Sequence, residues 1–131
     1  MEQRLKDCLT LPESTGECDI GPEILMRPGA IEVKYDVEGR NGPRWTTLRF
    51  EGALALRVAP DYAAGPIVTG AYSKVCVVEN SLWIATLREH SQHEIPTSFK
   101  HFTVFFDHYI CVETVAQSVG VVPAPDDVIP D

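Results

Sequence analysis

The strictest pattern in the chain is the stretch IEVKYDVE, from Ile31 to Glu38. Ile31, Val33, Tyr35 and Val37 alternate with Glu32, Lys34, Asp36 and Glu38. Successive side chains of a strand point to opposite faces, whereas a helix would scatter this pattern around its circumference. The stretch therefore reads as a half-buried antiparallel strand with one wet face, and the rest of the chain must supply a sheet and a core for the other.

The next segment supplies part of that core. Gly39, Arg40, Asn41, Gly42 and Pro43 are turn formers. Beyond them Leu48, Phe50, Leu54, Leu56 and Val58 share one strand face, with Gly52 among them. Trp45, Thr47, Arg49, Glu51, Ala53, Ala55 and Arg57 share the other. A glycine inside a strand marks a bulge or a bend, so one long strand from Trp45 to Val58, curling at Gly52, is expected. Tyr35 is expected opposite Leu48 and Val33 opposite Phe50. A one-residue slip would turn the apolar set outward.

Residues 1–30 carry no sustained period. Leu5, Leu9 and Leu11 fit one helical turn, but Pro12, Gly16, Gly21, Pro22, Pro28 and Gly29 punctuate the rest. An irregular arm anchored by Ile24, Leu25 and Met26 is expected. Pro60 stops the long strand, a loop of about ten residues from Asp61 to Gly70 comes next, and Ala71 to Glu79 returns to strand. Asn80 or Ser81 then caps a helix over 81–90, with Trp83, Ile84 and Leu87 as its apolar stripe. Arg88 and His90 suit its C-terminal end.

Phe99 to Asp107 and Tyr109 to Ser118 form a last hairpin. With the turn centred on His108, Phe102, Val104 and Phe106 meet Thr114, Val112 and Ile110 in the core. A turn one residue shorter would set Glu113 against Phe102, a costly burial for a carboxylate. On the second face Phe105 meets Cys111, Thr103 meets Glu113 and His101 meets Val115. The proline-rich acidic segment 121–131 is expected to stay extended.

The expected fold is α+β and mostly β, in one domain spanning 1–131. It is a single strongly curved antiparallel sheet or open barrel of about five strands, with one helix packed on it.

Several function classes fall away. A formal net charge of −8 opposes phosphate neutralisation, so no nucleic-acid partner is expected. No apolar run approaches the ~20 residues of a membrane span, and the first fifteen residues hold no apolar signal core. A cytoplasmic protein with no membrane partner is expected. The four cysteines lack a CxxC pair: Cys76 and Cys111 read as core residues, and Cys8 and Cys18 as free thiols unless the compartment is oxidising. His90, His93 and His101 do not make a converging ligand set, so neither metal nor cofactor is expected. The neighbours Asp107 and His108 read as turn formers, and no glycine-rich phosphate loop, GxSxG or HExxH occurs. The remaining unexplained residues are His101, Thr103 and Glu113, which a sheet face could present to a small ligand.

The runs VVENSLWIATLREH and HFTVFFDHYICVETVAQSVGVV carry a resemblance. Glu79, Asn80, Ser81, Trp83, Leu87, His101, Phe102, Phe106, Asp107, Cys111, Glu113 and Ala116 resemble a pattern of short uncharacterised bacterial proteins. The resemblance covers about the last third of the chain. Some small acidic proteins of this kind look similar to immunity proteins that block a toxin domain. The expected function is thus a non-enzymatic module that binds another protein, a basic one by charge complementarity, as an immunity-type inhibitor would. The alternative is a ligand-binding protein or enzyme with a pocket at His101, Thr103 and Glu113. Trp45, Arg49 and Arg57 are further candidates for partner contact.

Overall fold

The computed structural model describes residues 2–15, 18, 21–39, 42–60 and 70–122, with the backbone alone at Glu38 and Gly39. The loop expected over 61–70 lies outside the described residues except for Gly70, and so does the tail expected over 121–131 beyond Val122. Among the described residues the chain forms β1 (Arg4–Thr10), β2 (Glu23–Arg27), β3 (Ala30–Gly39), β4 (Gly42–Glu51) and β5 (Ala55–Pro60). β6 (Lys74–Glu79), α1 (Leu82–His90), β7 (Lys100–Phe105), β8 (Ile110–Ala116) and β9 (Ser118–Val122) complete it.

These strands make two antiparallel sheets, not one curved sheet or open barrel. One has the order β1-β6-β7-β8-β5, the other β2-β3-β4-β9. They share one core. Ile31, Val33, Tyr35, Leu48 and Phe50 come from the smaller sheet, and Val75, Phe102, Val104, Phe106 and Val112 from or beside the larger. Tyr35 meets Phe106 edge-on at 5.3 Å between ring centroids, and Phe50 meets Phe102 at 5.9 Å. Such pairs suit the opposite charges of ring face and ring edge.

The division arises at one corner. The long strand expected over 45–58 breaks after Glu51, and Gly52 adopts φ +64°, a conformation that costs any residue with a Cβ. Its amide donates to Gly29 O at 2.7 Å, and the chain re-enters the other sheet when Leu54 N donates to Val115 O at 2.8 Å. Beside it Gln117 N donates to Glu51 O at 2.8 Å, where β8 passes into β9 in the opposite sheet. Two adjacent strand crossings therefore join the layers. The last strand expected from sequence runs to Ser118 without a break, and β9 is an addition to it.

Segment 1–30 is likewise more regular than expected. β1 pairs with β6 and β2 with β3, in place of a helical turn and an irregular arm. The β3–β4 register is Val33 to Leu48 and Ile31 to Phe50, two residues from the one expected. A two-residue shift keeps every side chain on its own face, so alternation could not distinguish the two registers. The last hairpin has the expected pairs Phe102 to Thr114, Val104 to Val112, Thr103 to Glu113 and Phe105 to Cys111. His108 sits in its turn with φ +69°.

Candidate functional site

α1 lies on the outer face of the larger sheet. Asn80 turns the chain sharply after β6 with φ +58°, and Ser81 caps the helix by accepting the Ile84 amide at 3.1 Å. Such a cap is worth about 1 kcal/mol. Ile84 is buried under the helix, while Trp83 and Leu87 are half-buried beside it.

The helix covers a connected polar network. Glu113 on β8 takes a two-pronged hydrogen bond from Arg57 on β5, at 3.0 Å from Nε and 2.9 Å from Nη2. Its Oε1 also lies 2.6 Å from His101 Nε2 on β7. The other ring nitrogen of His101, Nδ1, is 2.7 Å from Ser81 Oγ. The Arg57 guanidinium stacks 4.3 Å above the Trp83 ring, and that ring meets His101 edge-on at 5.1 Å. Helix start, three strands and helix face are thereby tied into one ring.

Charge is held where burial opposes it. Burial is the largest single influence on the Glu113 carboxyl and pushes its pKa up. Hydrogen bonds from His101 and Arg57, with the Arg57 charge, together outweigh it and bring the pKa down to about 2. An ionised carboxylate only accepts, so His101 Nε2 must carry a hydrogen. In the neutral ring Nδ1 is then an acceptor for the Ser81 hydroxyl. Next to this network Thr103 Oγ1 lies 3.6 Å from Cys111 Sγ, whose thiol burial pushes up to about 11.

The expected site residues are thus only partly gathered. His101 and Glu113 touch each other, and Thr103 sits beside them, buried, against Cys111. Arg57 belongs to this cluster as the partner of Glu113. Trp45 and Arg49, expected on one strand face with Arg57, stand instead on the outer face of the other sheet, because the chain turns at Gly52 between them. Trp45 is exposed there with Lys34 Nζ 6.0 Å from its ring centre, and Arg49 pairs with Glu32 and Glu51. His90 and His93 are exposed, apart from buried His101. Among the described residues no three His, Cys, Asp or Glu side chains converge, and all four cysteines are free thiols. From sequence, Ser81 reads as a cap alone. Its contact with His101 emerges only once β6 and β7 are known to be neighbours.

Two clefts lie against α1. One, of about 550 Å³, is walled by Leu54, Leu87, Ile95, Pro96 and Phe99, with His90, Ser91, His93 and Glu94 around it. The other, of about 490 Å³, runs beside the helix start past Ser81, Leu82, Ala85, Arg88, Lys100 and His101.

No protein-family model, curated protein or solved structure matches this chain. Among the described residues no helix is long and apolar enough to cross a membrane.

Proposed function

We propose that the chain is a protein-binding module whose partner is a basic protein that inserts an apolar side chain into the cleft at the C-terminal end of α1. The observation that carries this reading is the cleft of about 550 Å³ itself, with Leu54 in its wall still 53 % exposed. An apolar wall left open at that volume suits an anchor residue from a partner. The net charge of −8 supports a basic partner, since opposite charge speeds encounter and makes it sensitive to salt. An immunity-type inhibitor of a basic toxin domain is the specific form of this proposal. In that form the polar network under α1 holds the helix that walls the cleft.

The test compares wild-type protein with Leu54→Asp as immobilised baits in host lysate at low salt, then measures rebinding of the purified captured protein. The expected result is one basic protein that wild type retains, high salt releases, and the variant binds at least about tenfold more weakly. Finding no protein that separates the two baits would overturn the reading.

A further inference from the structure

The second cleft leads to a different chemistry, independent of the docking reading because it uses neither Leu54 nor Leu87. Ser81 stands in the sharp turn between β6 and α1, half-buried, on the wall of that cleft. Its hydroxyl is 2.7 Å from a ring nitrogen of His101, and the other ring nitrogen is 2.6 Å from Glu113. Hydroxyl, imidazole and carboxylate in series, each within hydrogen-bond reach, are the parts of an activated oxygen nucleophile. The ring is used through Nδ1 toward the serine and Nε2 toward the carboxylate. Either nitrogen can take a proton when the other faces a carboxylate.

Capping does not consume the hydroxyl. With the His101 ring neutral, the Ser81 hydrogen is directed at Nδ1 and one lone pair accepts the Ile84 amide, which leaves the second lone pair for attack. The nine-residue helix also places the positive end of its dipole at Ser81. Among the described residues the cleft is lined by Arg88 and Lys100, and by no carboxylate, in a chain with a net charge of −8. That local balance favours a substrate carrying negative charge.

We propose that Ser81 is an acyl-transfer nucleophile with His101 as its base, acting on small anionic carboxylic esters. Ser81 Oγ bonds to the ester carbonyl carbon while its proton passes to His101 Nδ1. Collapse breaks the bond to the alcohol oxygen, which leaves with that proton. Water then attacks the acyl-serine, gives a proton to His101, and the acid departs as Ser81 recovers its hydrogen. Glu113 does not line the cleft. It is a positioning residue that holds the His101 ring and its tautomer, while Arg57 holds Glu113.

A fluorophosphonate probe tests the nucleophile on the intact wild-type chain. Attack forms an Oγ–P bond, breaks P–F and releases fluoride, with the proton going to His101. The expected result is one adduct per chain, mapped to Ser81 by mass spectrometry. No adduct, or an adduct on another residue, overturns the proposal. Ser81→Gly, which keeps most of the capping contribution, is expected to lose the adduct while keeping the circular dichroism spectrum. His101→Gln is expected to slow labelling by about 100-fold or more, and an unchanged rate would remove His101 as the base. For the substrate class, a nitrophenyl hemisuccinate should be cleaved several-fold faster than the neutral butyrate. Equal rates, or no cleavage of either, would overturn that assignment.

Discussion

Glu113 and Glu32 face outward from the two sheets, each against arginine, and their side chains are almost equally hidden, at 10 % and 12 % exposure. What hides them differs. Glu32 lies between Arg27, at 3.2 Å, and Arg49, at 3.6 Å, both of which reach water. Glu113 is held by Arg57, itself 48 % exposed and stacked on Trp83 of α1, and by a histidine that is 2 % exposed. If Glu32 is lost, its arginines turn to solvent. If Glu113 is lost, His101 keeps a ring N–H in the interior with nothing to accept it. The exposure of a carboxylate is thus a poor guide to its importance, and what its removal would strand is a better one.

The largest expected effect comes from that contrast. Glu113→Ala should cost about 3–5 kcal/mol, the range for breaking a buried pair on one side. Urea denaturation of the folded protein measures it. A loss below about 1 kcal/mol would mean that water reaches His101 when the carboxylate goes, and would put the two faces on equal terms.

Acid should reproduce much of the same loss. The folded pKa of Glu113 is depressed to about 2 from 4.5, so its contribution to stability is fully present above pH 4.5 and is lost as pH falls toward 2. The depression corresponds to about 3 kcal/mol at neutral pH. Unfolding free energy measured across this window should fall in wild type, and Glu113→Gln should flatten that part of the curve. An equal slope in the variant would assign the acid sensitivity to other carboxylates.

The part of this contrast that is legible in the sequence is uneven, for physical reasons. The last hairpin is legible because the shorter turn would drive Glu113 into the core, so one register is heavily penalised. The faces of β3 and β4 are legible from alternation, but a shift by two leaves alternation intact, and the true register escapes. β1 is hidden because its period is interrupted by the register shift between Asp7 and Leu9. β2 is hidden because edge residues such as Met26 remain exposed. Gly52 signals a bend, but that the bend exchanges sheets is a property of its backbone angle. His101, Thr103 and Glu113 are visible as residues that the core does not explain. Arg57 and Ser81 join them only through the pairing of β5 with β8 and of β6 with β7, contacts that no local pattern encodes.

A smaller effect, of opposite sign, distinguishes the two faces of a single strand. Thr114 comes after Glu113 on β8 and points to the core, fully buried, with no hydrogen-bond partner for its hydroxyl among the described residues. The Glu113 carboxylate is engaged by Arg57 and His101, whereas this hydroxyl is simply taken out of water. Thr114→Val keeps the branched shape and removes the stranded group, so it should stabilise the protein by about 1 kcal/mol. A shift of the denaturation midpoint to lower urea would show that the hydroxyl has a partner in solution.

The smallest expected effect comes from the other sheet. Glu32→Gln removes the charge between Arg27 and Arg49 but leaves both arginines solvated and Arg49 still 2.6 Å from Glu51. Pairs whose cations reach water, as Arg27 and Arg49 do, contribute about 0–1 kcal/mol, and salt weakens them further. Stability of wild type and variant should therefore differ by less than about 1 kcal/mol at low salt and converge at high salt. A loss comparable to that of Glu113→Ala, persisting in salt, would show that the arginine stems seal Glu32 from water as effectively as α1 seals Glu113. The distinction between a helix lid and a side-chain lid would then fail.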